Sequence, residues 1–485
     1  MKNTQEPPMT VLLGLPFHDI TLEETLDYCE DTMRNEKPSY LVTANVDFTT
    51  QAYEDADLKK IVFYADRVVC DGMPLVWLSR IFGYPLRERV AGSDMVPRLL
   101  EICGREKYGV YFFGSDLNTL EEAKVLVEER YPGLRVVGVD SPPFGAVIEW
   151  DNEALCERMR ASGAKLLLAC LGCPKQERWI FAHHRESGIP LSIGVGASLD
   201  FITGKQKRAP RWMQKTGMEW FWRMSSSPSR LMARYGKDFV FLSKASLRQA
   251  KSQRRREEIA GAVPQTSEKE TASANVTRLA WSGNLQWSSL NGAPVPDHIS
   301  APVWLDASRI SFTDSSGLGQ LALLLRRCRA AGQPLVIINP SKPFRGALSD
   351  MQMDSLCTMV ENEEQAEKLL ENQKASGQGE FRNTNDGVVW VSFKCPLDAI
   401  YYDEMTRTLD AASEEAEAGS TLVIDLAEVN FIDSRAVGGL IRTMKQMRAK
   451  GGSMYLARAN TSVHEIISLL RLDKLLPEWE GDIPS

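Results

Sequence analysis

The chain lacks several things that would place it quickly. None of its apolar runs approaches the roughly 18–20 uninterrupted residues of a membrane span. The N-terminal stretch MKNTQEPPMTVLLGLPFHD holds only a brief apolar run, which argues against a secretory signal peptide. Its nine cysteines are an odd count, thinly spread. Cys170 and Cys173 form one CxxC-like pair, with no second pair to close a zinc site. They read as buried packing thiols or as a redox pair, and the pattern fits a reducing cytoplasm. The glycine turn GVG at 194–196 lacks the third glycine of a dinucleotide fingerprint, so NAD binding is not favoured. What is present is ordinary: 43% hydrophobic and 25% charged residues over 485 positions exclude wholesale disorder, collagen-like repeats and a disulfide scaffold. That length predicts two to four domains at roughly 100–200 residues each.

Charge is distributed unevenly. The net is -7, yet residues 203–256 hold fifteen Lys and Arg against two Asp and Glu. Such a segment needs an anionic partner: nucleic acid, phospholipid headgroups or substrate phosphates. Trp212, Trp220, Phe221 and Trp222 interleave with the basic residues, and Leu231, Tyr235, Phe239 and Leu242 recur at helical spacing. We read a basic helical appendage with aromatic anchors over 205–250. No nucleic-acid motif accompanies the charge, so nucleic acid is set aside.

Before the appendage, apolar runs alternate with helical patterns. SYLVTANV (39–46), RVVCDG (67–72), YGVYFFG (108–114), LRVVGVD (134–140), AKLLLACLG (164–172) and IPLSIGVG (189–196) read as buried strands. TLEETLDYCEDTMR (21–34) and NTLEEAKVLVEERYP (118–132) read as helices between them. Continuous apolar strands in alternation with helices predict an α/β fold, a Rossmann-like parallel sheet covered on both faces over 1–204. Ligands then sit beyond the carboxyl ends of the strands. Thr43 and Asn45, Asp71-Gly72, the loop RVAGSD (89–94), LGCPKQERW (171–179) and GVGASLDF (194–201) lie at those positions. Each also has a bland account. Asp-Gly is a common turn pair, and Gln176-Glu177 could simply open a helix after Pro174. His183 and His184 suit packing or surface, and Asp55-x-Asp57 resembles a metal-binding pair but sits in a polar helical stretch.

Taken together, VTANVDF, VCDGMPLVW, ERVAGSD, LGCPKQERWI, GVGASLDFITGKQKRAP and MEWFWRMSSSPSR resemble the WecG/TagA/CpsF glycosyltransferase family over about residues 10–245. The resemblance implies an inverting transfer of an N-acetylmannosamine-type sugar from a UDP-sugar to a polyprenyl-diphosphate-linked acceptor, feeding teichoic acid, common antigen, capsule or exopolysaccharide. It implies Asp71 as the catalytic base and Thr43 and Asn45 as active-site residues. Arg223 and Arg230 become appendage arginines that engage phosphates, with Arg234 near another such position. Arg89, Gln176, Gly194 and Gly196 complete the expected substrate-binding set. A base takes the acceptor proton, and arginine forks suit the leaving diphosphate, so no metal or other cofactor is expected. The location implied is cytoplasmic, peripheral on the inner face of the membrane, where a polybasic aromatic helix meets an anionic surface.

Residues 251–274 and 372–386 read as linkers. Between and beyond them the chain repeats itself: 303–335 aligns without gaps to 422–454, so that Asp306 meets Asp425, Asp314 meets Asp433, Ser315 meets Ser434 and Gly319 meets Gly438. The period is too long for a solenoid, so we read two copies of one small α/β domain, over 275–371 and 387–485. FTDSSGLG (312–319) and FIDSRAVGG (431–439) resemble the signature of the STAS domain, named after sulfate transporters and anti-sigma-factor antagonists. The resemblance makes Ser315 and Ser434 phosphorylation candidates and implies a kinase, anti-sigma or STAS partner. A Ser or Asp before an apolar helix is equally an ordinary N-cap. Copy one has fewer residues between its first two strands, so its first helix is expected to be short or missing. The rival readings are a catalytically silent signalling scaffold and a CxxC oxidoreductase.

Overall fold

The computed structural model describes residues 6–147, 150–196, 198–204, 209–210, 213, 222, 228–257, 271–273, 276–285, 295–376, 380–383, 387–394, 397, 401–429, 432, 434–460, 463–464, 467 and 475–481. Within these, the side chains of 200, 228–235, 251–257, 271–273, 355, 371–376, 380–383, 403 and 434–435 lie outside the description. Two compact units result. One comprises Met1–Phe144 with Asp151–Glu361, and the other Gly145–Trp150 with Asn362–Ser485.

The first unit begins with an antiparallel hairpin, β1 (Met9–Leu12) and β2 (Leu15–His18). Leu13 and Gly14 both have positive φ, 53° and 85°, as the tight two-residue turn of a twisted hairpin requires. The six apolar runs follow as strands β3 (Ser39–Ala44), β4 (Arg67–Cys70), β5 (Gly109–Gly114), β6 (Arg135–Asp140), β7 (Leu166–Cys170) and β8 (Leu191–Gly194). Every neighbouring pair is parallel, in the order β4-β3-β8-β7-β5-β6. Burial on both faces explains the unbroken apolar runs. Leu166, Leu168, Phe112 and Ile193 are completely buried, packed with Leu99, Leu100 and Leu120 of the covering helices.

The helices obey local rules. In α1 (Leu22–Asn35) the Thr21 hydroxyl accepts from the Glu24 N–H and the Glu24 carboxylate accepts from the Thr21 N–H, a capping box. The elements α2 (Val46–Glu54), α3 (Ala56–Phe63), α4 (Met73–Ile81), α5 (Gly92–Glu106), α6 (Leu117–Arg130), α7 (Asn152–Ser162), α8 (Lys175–His183) and α9 (Ser198–Ile202) complete the layers. The appendage helix α10 (Pro228–Glu257) runs past its expected end. Residues 251–257, expected as the start of a linker, are helical because Lys, Arg, Gln and Glu there are good helix formers.

The first repeat copy belongs to the same unit. Its strands are β9 (Thr271–Ser273), β10 (Val276–Leu285), β11 (Val303–Thr313), β12 (Leu335–Ile338) and β13 (Thr358–Val360), hydrogen-bonded as β13-β12-β11-β10-β9. Strand β9 lies inside the expected linker because it pairs antiparallel with β10. Helices α11 (Ser315–Ala330) and α12 (Lys342–Asp350) cover the sheet. No helix joins β10 to β11 among the described residues.

The second unit holds the other copy. Helix α13 (Glu363–Ser376) and strand β14 (Glu380–Asn383) occupy much of the second expected linker, β14 being held by antiparallel pairing to β15 (Val388–Ser392). Then come α14 (Tyr402–Glu415), β16 (Thr421–Asp425), α15 (Ser434–Ala449) and β17 (Ser453–Ala457), in the sheet order β14-β15-β16-β17. Helices α11 and α15 have the same sixteen-residue length at equivalent positions of the repeat. The repeated aspartates also match: Asp306 accepts from the Ser308 N–H at 2.9 Å and Asp425 from the Ala427 N–H at 3.1 Å. The shared residue thus accepts from the N–H two residues on in both copies, at the end of β16 and within the longer β11.

Truncating the fully buried Phe112 of strand β5 to Ala should cost about 3–5 kcal/mol in a urea unfolding experiment.

Candidate active site

Strand direction places four loop starts side by side. Thr43 and Asn45 end β3, Asp71 follows β4, Gly194 ends β8 with Gly196 beyond it, and Gln176 opens α8 after β7. These four strands are consecutive in the sheet. Asn45 caps α2, its carboxamide oxygen accepting from the Phe48 N–H at 2.9 Å. Gly72 packs so closely over the Asn45 backbone that a Cβ there would lie 3.7 Å from its Cα. Asp71 is half-buried, with its N–H donating to the Ala44 carbonyl at 2.9 Å. Its Oδ2 accepts from the Gly92 N–H at 3.4 Å.

That last contact corrects one expectation. RVAGSD is not wholly a loop: Ala91 is an N-cap, and Gly92–Asp94 form the first turn of α5. The N–H groups of a helix start have no partner within the helix, so the turn serves as a donor site. A Cβ on Gly92 would meet both the Ser198 Oγ and the Thr43 Oγ1 at 3.8 Å. Gly92 and Ser198 thus join the candidate site; both lie inside quoted motifs, RVAGSD and GVGASLDF, without having been singled out there. Arg89, just upstream and mostly buried, pairs with Asp94 at 2.9 Å.

Gln176 binds two turns at once. Its Oε1 accepts from the Gly172 N–H at 3.2 Å and the Gly196 N–H at 3.1 Å, and its Nε2 donates to Glu177 Oε1 at 2.7 Å. Gly194 must lack a side chain, because a Cβ would fall 2.5 Å from that Nε2. Glu177 is buried, and burial pushes its carboxyl up to about 7, opposed by the Gln176 amide and the Cys173 thiol.

Other candidates resolve differently. Asp55 caps α3 and pairs with Arg178 at 2.6 Å, while Asp57 stands 3.4 Å from the same guanidinium. This acidic pair is committed to an arginine. His184 Nδ1 bonds the Ile180 carbonyl at 3.0 Å and packs on Tyr40. At the end of α8, His183, Glu186 and Cys156 bring an imidazole, a carboxylate and a thiol within 4.8 Å of one another. Cys170 and Cys173 are not joined in a disulfide. Arg223 lies outside the described residues; Arg230 is on α10, its side chain outside the description. Ser315 and Ser434 each open a helix, α11 and α15. The side chain of Ser434 is outside the description, whereas Ser315 is buried.

A family model described as "Glycosyl transferase WecG/TagA/CpsF family" matches residues 10–256, more than half of the chain. The chain belongs to the WecG/TagA/CpsF glycosyltransferase family. It is therefore a hexosyltransferase. The STAS domain model matches residues 226–366 and 382–480, so both family matches claim the part of α10 up to residue 256. Three relatives carry the name N-acetylglucosaminyldiphosphoundecaprenol N-acetyl-beta-D-mannosaminyltransferase. The protein from Bacillus spizizenii is 28% identical over 217 residues, 44% of this chain and 82% of the relative. That from Bacillus subtilis is 26% identical over 218 residues, 45% and 83%. That from Staphylococcus aureus is 25% identical over 214 residues, 44% and 82%. A solved structure, described as an anti-sigma factor antagonist from Thermotoga maritima, is 18% identical with a TM-score of 0.18, covering 21% of this chain and 86% of that one.

In this glycosyltransferase the raised Glu177 carboxyl has a stability consequence. Its neutral form is favoured in the folded state, so the folded protein binds the proton more tightly than the unfolded chain between the ordinary carboxylate range and about 7. Stability therefore falls as pH rises through that window. Glu177→Gln should leave the thermal midpoint near wild type at pH 5 and raise it at pH 8, measured by differential scanning calorimetry.

Proposed function

We propose that the protein moves N-acetylmannosamine, with inversion, from UDP-N-acetylmannosamine to the N-acetylglucosamine of a polyprenyl-diphosphate-linked acceptor in surface polysaccharide synthesis. The observation that carries this reading is the Asp71 carboxylate at the end of β4, beside Thr43 and the first turn of α5. Asp71 takes the proton of the acceptor hydroxyl, whose oxygen attacks the anomeric carbon as the bond to UDP breaks. Charge builds on the departing diphosphate. The start of α5 favours it through the helix dipole, and Arg89, Arg223 and Arg230 offer guanidinium groups. The names of the relatives support the sugar and the acceptor. We propose that the transfer runs without a divalent cation, since the one acidic pair of transferase type is held by Arg178.

With wild type and Asp71→Asn side by side, UDP release from UDP-N-acetylmannosamine should depend on a polyprenyl-diphosphate-GlcNAc analogue and fall by about two to four orders of magnitude in the variant. It should persist in a chelator. Acceptor-independent release, or full activity in Asp71→Asn, would overturn the assignment.

The reading places the enzyme on the inner face of the cytoplasmic membrane. Among the described residues no helix is long and apolar enough to cross a membrane. Surface attachment is supported by α10, where Phe239 and Leu247 are each 72% exposed among basic residues. On α4, next to Asp71, Trp77 and Ile81 expose a second apolar pair one turn apart, suited to the acceptor's hydrocarbon. Phe239→Ser combined with Leu247→Ser should cut co-sedimentation with phosphatidylglycerol vesicles several-fold while leaving the circular dichroism spectrum unchanged. Equal sedimentation of variant and wild type would move the attachment elsewhere. We further propose that the STAS domains regulate or localise the transferase through a kinase, anti-sigma or STAS partner. Ser315 and Ser434 are the residues modified; a helix start takes added negative charge favourably once solvent reaches it.

A further inference from the structure

The two STAS copies solve one packing problem in two ways. In the second, α14 lies against α15: a Cβ at Gly439 would meet Met405 Cε at 2.6 Å and Tyr402 Cε2 at 3.4 Å. The first copy has no such helix between β10 and β11 among the described residues, yet its α11 is apolar on more than its sheet face. The transferase hairpin occupies that position. Met9 and Val11 of β1, with Phe63 of α3, share one core with Leu318, Leu321, Ala322 and Leu325 of α11. The approach is close enough to demand glycine, because a Cβ on Gly319 would stand 1.9 Å from the Met9 carbonyl oxygen.

Polar groups fix the register of this contact. Arg326 donates to Glu6 at 2.8 Å, to His18 Nε2 at 2.8 Å and to the Asp66 carbonyl at 2.6 Å. Burial first, then Arg326 and Arg67, hold His18 well below the ordinary histidine range, so the imidazole is neutral and can accept. Arg329 stacks 3.5 Å above the Tyr64 ring, and Lys59 donates to Gln352 at 3.0 Å. One buried residue then ties in the appendage. Gln249 of α10 accepts from the Leu13 N–H of the hairpin at 3.1 Å and donates to Ser315 Oγ at 3.0 Å. The same helix lies along α2 through Lys237 to Glu54 at 2.7 Å and Arg248 to Tyr53 at 2.6 Å, and α2 begins at Asn45.

We infer that the first STAS domain is a clamp on its own transferase, with the β1–β2 hairpin seated on α11 and Ser315 latched through Gln249 to the appendage helix. The docked domain holds α10 along α2 and so positions the appendage for transfer; Ser315, Gln249 and Gly319 are positioning residues. While the clamp is shut, Ser315 is closed to any modifying enzyme, and a negative charge placed on it is buried against a neutral amide. Introducing that charge opens the clamp.

The transfer part of this inference rests on the function proposed above; the docking part does not. Hydrogen–deuterium exchange on the full chain tests docking. Gly319→Leu and Ser315→Glu should each speed exchange of the 9–18 amides and of the 237–249 helix by about tenfold or more. Exchange in β5 of the transferase sheet and in β12 of the first STAS sheet should stay at the wild-type rate, which shows that both folds survive. Gln249→Ala, which cannot misfold α11 by overpacking, should loosen 237–249 and the Leu13 amide it holds, leaving the other amides of 9–18 near wild type. Transfer should fall several-fold in kcat in all three, while Ser315→Thr, which keeps the hydroxyl, should keep the wild-type rate. Unchanged exchange at 9–18 in Gly319→Leu and Ser315→Glu would overturn the docking. Faster exchange with an unchanged transfer rate would overturn the clamp. If wild type transfers no sugar, the proposed function fails while the exchange measurements still decide the interface.

Discussion

The transferase site depends on strands that all run the same way. A parallel sheet sends every chain segment out at one edge, and each exit is followed by the start of a helix whose first N–H groups lack partners. Asn45, Asp71, Gln176 and Gly196 hang from four neighbouring exits. The starts of α2, α5, α8 and α9 bring their donors to the same edge. Such a surface favours an anion, which gains from the helix dipoles. The Gly92 N–H on Asp71 Oδ2 orients a carboxylate set among these helix starts.

Rigidity at that edge comes from small residues and one amide. Gly194 lets the Gln176 amide approach to a distance that a Cβ would fill, while Gly72 and Gly92 pack in ordinary contact with Asn45 and with Thr43 and Ser198. Gln176 then joins the turn after β7 to the turn after β8, and Glu177 fixes which way its amide faces. A buried carboxyl beside a buried amide is costly. It persists because it removes the rotation that would release both turns. The site is held by contacts that contribute little to the stability of the sheet behind it.

How much of this was legible depended on whether the signal was local. The six strands were, because burial on both faces leaves unbroken apolar runs. Thr21 and Asp314 announced their helices by side chains that cap them. Asp71, Thr43 and Gln176 were legible as residues just past a strand, which is a statement about topology. Gly92 and Ser198 were not, because their partners lie across the sheet edge and no spacing encodes that. The longest miss was Gln249. It sits in the polar, charged end of the appendage, and only the burial of its amide between Leu13 and Ser315 gives it a role. The hairpin was missed for a related reason: TVLLGLPFHD is brief, and its partner helix lies some three hundred residues away.

The repeat shows why duplication need not produce equivalent domains. Both copies keep the aspartate turn and a helix of the same length. The second copy buries the free side of that helix with its own chain. The first shows no such element among its described residues and uses the transferase instead, so it has little cause to exist undocked: leaving exposes Leu318 and Leu321 together with Met9 and Val11, at roughly 25 cal/mol for each Å² of apolar surface. Opening is therefore uphill unless something replaces the lost contact or penalises the closed state. A charge at Ser315 does the second, and a protein that covers α11 does the first. The two act on one equilibrium, so either makes the other more effective.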